Sequence, residues 1–266
     1  MPAKSTGSSN RLNLATRDDV VRRFRELTDF YKLLYKTVVI AGERTLDPST
    51  LYLTQAYLES DKLGLVLRET LLRGYDAPII AVRGVDGVYV LDGHHRVLVN
   101  AWLGKSIVAL TLFIPEYKPK IKLSLLDVDV INLGETRGDL STWKHIVNII
   151  HFIEKHHKKL AKAWFQEVKI DTLVPTQPVL GDETSRTAHQ DEPPILCYLY
   201  EGLCYVLDGH HRVCEALLEH KSTMNALVFT LGIEIGTLKT SRKIGLKKFD
   251  IDYCQSRDNP RSGTNG

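Results

Sequence analysis

Nine consecutive residues of this chain occur twice without a change. Tyr89-Val90-Leu91-Asp92-Gly93-His94-His95-Arg96-Val97 returns as Tyr205-Val206-Leu207-Asp208-Gly209-His210-His211-Arg212-Val213. Chance does not produce an identical word of that length in so short a chain. Packing alone does not demand it either, because a duplicated core keeps its shape while its residues drift. The retention of Asp-Gly-His-His-Arg points to a site present in both copies.

The similarity extends outward from the word, as in a tandem internal duplication. Leu12-Asn13-Leu14 followed by Thr16-Arg17 parallels Ile131-Asn132-Leu133 followed by Thr136-Arg137. Thr54-Gln55 matches Thr176-Gln177, and Ala77-Pro78-Ile79-Ile80 matches Pro193-Pro194-Ile195-Leu196. Further on, Lys105-Ser106 pairs with Lys221-Ser222, and Asp127-Val128-Asp129 echoes Asp250-Ile251-Asp252. The register offset is 119 at the start, 122 at the glutamines and 116 at the shared word, so short insertions separate the copies. Two domains are expected, 12–130 and 131–253, each near the usual domain size and able to enclose its own core. Residues 1–11 and 254–266 read as disordered tails, the first without the apolar stretch of a secretion signal.

A chain that is 43% hydrophobic and 25% charged is an ordinary soluble globular protein. No apolar run approaches the ~20 residues of a membrane span, so no membrane partner and a cytoplasmic location are expected. A net charge of +3 is too small to argue for nucleic acid. The four cysteines lack metal-ligand spacing. Cys197, Cys204 and Cys214 stand opposite the apolar Ala81, Val88 and Leu98, which predicts small buried hydrophobes in a reducing compartment.

Each copy opens with an amphipathic helix. Val20, Phe24, Leu27, Tyr31 and Leu34 follow the helical period over 17–35, with Thr16 as N-cap and Asp18 and Asp19 in the first turn. Trp143, Ile146, Val147, Ile150, Ile153, Leu160 and Trp164 predict a second helix over 141–168, with Lys155, Lys158, Lys159 and Lys162 on its solvated face. Strands are predicted at 38–40, 78–82, 88–91 and 107–113, and helices near 60–73 and 97–103. The fold class is therefore α/β (α+β), with a small mixed sheet in each copy.

Asp-Gly-His-His-Arg thus falls where a buried strand gives way to a helix. A helix start offers unpaired N–H groups and a positive dipole end, which attract phosphate. Gly93 and Gly209 permit a tight turn and close approach of a ligand. Arg96 and Arg212 suit paired hydrogen bonds to phosphate oxygens. Asp92 and Asp208 suit a magnesium ion or the orientation of a neighbouring histidine. Asp92, His94 and His95, with Asp208, His210 and His211, suit proton transfer near neutral pH. The plainer alternative is a structural histidine pair that bonds to backbone. A zinc site is disfavoured, because adjacent residues at a helix start point apart.

The order of these features in each half resembles the ParB/sulfiredoxin superfamily: a Leu-x-x-Thr-Gln box, a Pro-Ile-Ile segment, a strand, then a glycine-bearing motif that opens a helix. The sulfiredoxin cysteine is replaced by His95 and His211. The form Asp-Gly-His-His-Arg is similar to the archaeal branch that holds ADP-dependent free serine kinases. That resemblance implies tandem ParB-like domains forming an internal pseudo-dimer. It also implies magnesium with ADP or ATP, and phosphate transfer to a small hydroxyl compound such as an amino acid. Thr54, Gln55, Thr176 and Gln177 would then orient substrate or ribose. The kinase pattern has an acidic base in the first box, where Gln55 and Gln177 cannot accept a proton. Glu59 and Glu183, just beyond, are the candidate bases. The alternative function is a non-catalytic nucleotide switch or nucleic-acid-associated module, with a nuclease behind it.

Overall fold

The computed structural model describes residues 13–133, 140–178, 180 and 193–255. The expected tail 1–11, the Thr136-Arg137 match, Glu183 and all but the first two residues of the expected tail 254–266 lie outside them. In the first half α1 (Arg17–Leu34) leads to β1 (Val39–Leu46), β2 (Tyr52–Leu53) and β3 (Tyr57–Glu59). Then come α2 (Ser60–Arg73), β4 (Ile79–Arg83), β5 (Val88–Asp92), α3 (His94–Trp102), β6 (Ile107–Phe113) and β7 (Asp129–Ile131). In the second half α4 (Leu140–His157) is followed by β8 (Lys162–Lys169), β9 (Leu173–Pro175), β10 (Ile195–Tyr200) and β11 (Leu203–Asp208). The chain continues through α5 (His210–Leu218), β12 (Thr223–Thr230), α6 (Gly236–Lys243) and α7 (Ile251–Gln255).

Both halves build the same five-stranded mixed sheet. The first runs β1-β6-β4-β5-β2 and the second β8-β12-β10-β11-β9. In each, a hairpin (β4–β5, β10–β11) lies beside a parallel crossover strand (β6, β12). The α/β class read from the sequence is thus observed. The expected cap of α1 also forms: Thr16 accepts the Asp19 N–H while the Asp19 side chain binds the Thr16 backbone.

The halves share their largest core, and each keeps a smaller apolar cluster of its own. The largest apolar cluster joins Ile79, Ala81, Val90 and Val97 of the first sheet and α3 to Trp143, Ile146 and Ile150 of α4. It continues to Leu196, Tyr198, Tyr205 and Phe229 of the second sheet. Helices α2 and α4 approach so closely that a Cβ on Gly64 would sit 2.9 Å from the Lys144 nitrogen. The buried Asp61–Lys144 ion pair, 3.2 Å, lies at the same contact. An isologous pseudo-dimer would present the same face of each sheet to the other. Here the faces are opposite. The first sheet contributes its α3 face, whereas the second contributes the face away from α5, whose own side packs Cys197, Val206, Val213 and Cys254. The copies are stacked head to tail, not as the symmetric pair that the expected internal pseudo-dimer would form.

Two further expectations change. Helix α4 ends at His157, with Lys158 at φ 50 and the Ala161 N–H bound to the buried Glu154 carboxylate at 2.6 Å. The residues after it form edge strand β8, so Leu160 and Trp164 matched the helical period by coincidence and the four lysines do not share one face. Cys214 is not a free thiol: it forms a disulfide with Cys254, Cα–Cα 5.3 Å. This tethers α7 to α5, so Cys254 and Gln255 belong to the second half and not to a tail. Cys197 and Cys204 are free, and burial pushes the Cys197 thiol well up.

Candidate functional site

Each repeated word does sit at a strand-to-helix turn. Gly93 and Gly209 are the N-caps of α3 and α5 at φ 95 and 98, the left-handed region that favours glycine. A Cβ on Gly93 would lie 2.6 Å from Ile79 Cγ2 and 2.8 Å from Arg96 Nη2, and Gly209 meets Ile195 and Arg212 in the same way. The glycine is required by the packing of the turn itself.

The arginines turn inward. Arg96, 6% exposed, donates from Nη1 to the Pro78 carbonyl and, at 3.3 Å, to that of Ala77, and from Nη2 to Asp92 Oδ2 at 3.0 Å. Arg212 donates to the Pro193 carbonyl and to Asp208 Oδ2 at 3.2 Å. Each guanidinium ties the turn to the segment entering the hairpin's first strand. Arg96 and Arg212, expected to grip phosphate, are engaged in this clamp.

The histidines also bind backbone. His94 Nε2 accepts the Thr54 N–H at 3.4 Å and lies 3.2 Å from Thr54 Oγ1, which itself donates to Val90 O at 2.6 Å. The second copy repeats this, with His210 Nε2 accepting the Thr176 N–H at 3.0 Å and Thr176 Oγ1 donating to Val206 O at 2.6 Å. His95 Nε2 accepts the Glu59 N–H at 3.1 Å. Burial, outweighing every other influence, lowers His94 to about 4, His95 to about 3 and His210 to about 4. All three are therefore neutral acceptors at pH 7. His211 is half-buried, and the segment matching Glu59, with Glu183, lies outside the described residues.

Around the first turn, several polar side chains lie near the repeated word. Asp92 closes β5 with its side chain 42% exposed and Oδ1 outside the bond to Arg96. Glu59 is the N-cap residue of α2 but spends no side-chain bond on capping. Lys62, in the first turn of α2, is close enough for its charge to bear on both His94 and His95. The sequence reading missed Lys62, although a lysine three residues after Glu59 at a helix start was visible there. In the second half, His145 of α4 reaches within 4.0 Å of Asp208 Oδ1. Gln55 points elsewhere, its amide donating to Tyr57 O at 2.7 Å, while exposed Gln177 offers its carbonyl to Tyr253 Oη at 2.8 Å. The glutamines are not brought to the turns by any of these bonds.

The site and fold thus define an α/β protein with two copies of a glycine-capped strand-to-helix turn, the first of them, among the described residues, joined to a second helix start. No family model and no curated protein matches the chain. Among solved structures it is similar to protein Atu1540 from Agrobacterium tumefaciens, at 20% identity and a TM-score of 0.25, over 29% of this chain and 41% of that one. A likeness of that size carries no argument about fold or function.

Proposed function

We propose that this chain binds a nucleotide where α2 and α3 begin, and transfers its terminal phosphoryl group to the hydroxyl of a small compound. The observation that carries the reading is the 3.1 Å bond from Glu59 N–H to His95 Nε2. It fixes the start of α2 beside the turn that opens α3. Two positive helix ends and Lys62 then offer a phosphate site without Arg96. Glu59 is the group suited to take the proton of the attacking hydroxyl as the new O–P bond forms and the bond to the leaving phosphate breaks. Asp92 is the residue to hold a magnesium ion carried in on the nucleotide. Its free Oδ1 fits an ion bound by one or two carboxylates plus phosphates, and no cluster of three ligating side chains exists among the described residues to cage one. When bound, the ion would offset charge on the transferred group. The finer fold assignment, tandem ParB/sulfiredoxin-like halves, belongs to the same proposal.

A second reading is nucleotide binding without turnover. It is favoured by the commitment of His94, His95 and Arg96 to backbone groups, which makes the motif a scaffold. Incubation with labelled ATP or ADP, magnesium and a pool of amino acids and small alcohols separates the two. Phosphorylated product that disappears in Glu59→Gln and Asp92→Asn, with folding intact, supports transfer. Nucleotide binding without product supports the second reading. Neither binding nor product overturns both.

A further inference from the structure

The end of the first sheet far from the α3 turn carries a pocket of about 850 Å³, floored by Leu46, Val88, Thr111 and Phe113. This lies in the size range of small-molecule sites. Its origin is visible in the duplication. Gly42 pairs with Thr111 across β1–β6, and at the same place in the second sheet Trp164 pairs with Val228. There Trp164 and Leu199 pack onto the cluster that holds Val228. In the first copy Gly42 has open space where a Cβ would be, and Arg83 stands at the position of Leu199. Three apolar side chains have become an absence, a guanidinium and a hydroxyl.

The charge at the mouth is one-sided. Arg44 and Arg83 both line the pocket, and no carboxylate does among the described residues. The acids next to lining residues in sequence are already paired: Glu43 with Arg17, and Asp86 with Lys122 at 3.2 Å and with the Tyr89 hydroxyl at 2.6 Å. We infer that this pocket binds a small organic anion, an apolar body on Leu46, Val88 and Phe113 with a carboxylate or phosphate head between Arg44 and Arg83. Paired guanidinium groups suit such oxyanions, and the floor supplies the burial that an inorganic ion lacks.

Calorimetric titration of the whole protein with decanoate, decyl phosphate, decanol and decylammonium tests this. Both anions are expected to bind at least tenfold more tightly than the alcohol or the cation, on the order of one charged hydrogen bond. The stronger of the two identifies the head group. Arg83→Leu, which copies the second half, and Arg44→Gln should each weaken anion binding about tenfold. Gly42→Trp should abolish it; because that glycine has φ 80, the exposed arginine variants carry the test if it misfolds. Anion binding that is absent at millimolar concentration, equal to that of decylammonium, or unchanged in both arginine variants overturns the proposal.

Discussion

Replacing Glu154 with glutamine should make the stability of this protein less dependent on pH. Glu154 lies in α4 with only 2% exposure. One oxygen accepts the Trp102 indole N–H of the other half at 2.8 Å and the Ala161 N–H at 2.6 Å. Burial raises its pKa from 4.5 to about 7, against the lowering effect of those two bonds. The folded protein therefore prefers the carboxylic acid, whereas the unfolded chain releases the proton near 4.5. The stabilising contribution is whole below pH 4.5 and is lost as pH rises through about 7. At about 1.4 kcal/mol for each tenfold change in proton affinity, the full loss is roughly 3 kcal/mol. Glutamine keeps the acceptor oxygen and the volume but never ionises. Urea unfolding followed by circular dichroism should show the variant close to the parent at pH 4.5 and more stable by up to roughly 3 kcal/mol at pH 8.5. Neutral His94, His95 and His210 work the other way: their contribution is full above 6.5 and is lost as pH falls through about 4 for His94 and His210 and about 3 for His95. That effect is common to both proteins and cancels in the difference. A difference that does not change with pH would refute the placement of an ionisable carboxyl in the joint core.

Gly93→Ala should cost about 2–4 kcal/mol, combining left-handed backbone strain with the clash on Ile79. Gly74→Ala, at φ 66 with nothing within 4 Å of its Cβ, should cost about 1 kcal/mol; equal losses in denaturant melts would contradict the packing account of the turn. Arg96→Ala should destabilise by about 1–3 kcal/mol through its stranded carbonyl partners. Lys62→Ala should stay within about 0.5 kcal/mol of the parent, and the reverse order would contradict the clamp role of Arg96. Reduction of Cys214–Cys254, which spans 40 residues, should remove about 4 kcal/mol of stability. An unchanged melting temperature in dithiothreitol would argue against that bridge.

Much of the local structure was legible because it is written in short-range signals. Thr16 with Asp19 is a capping box, and the glycine after Asp92 marks the strand-to-helix turn. The α4–β8 boundary was not legible, since Leu160 and Trp164 continue the helical period by accident; the repeat itself, matching this stretch to Val39–Leu46, was the better guide. The roles of Arg96 and His95 depend on the carbonyls of Ala77 and Pro78 and on the Glu59 N–H, groups brought near only by folding. A residue type suited to phosphate is equally suited to buried backbone acceptors, and sequence does not say which lies within reach. The Cys214–Cys254 pair was obscured because Leu98 occupies the first copy's equivalent position, suggesting a plain apolar site. Head-to-tail stacking was invisible for a similar reason: two equivalent sheets have two apolar faces each, and the choice between them rests on α2 and α4.

The central claim is that the joined starts of α2 and α3 in the first half hold nucleotide phosphates. Isothermal titration calorimetry of ADP and ATP with magnesium, on the parent and on Lys62→Ala, tests it most directly. Saturable binding that weakens about tenfold or more in the variant, on the scale of a charged hydrogen bond, is the predicted result. No heat of binding for either nucleotide, or equal affinity in parent and variant, would contradict it.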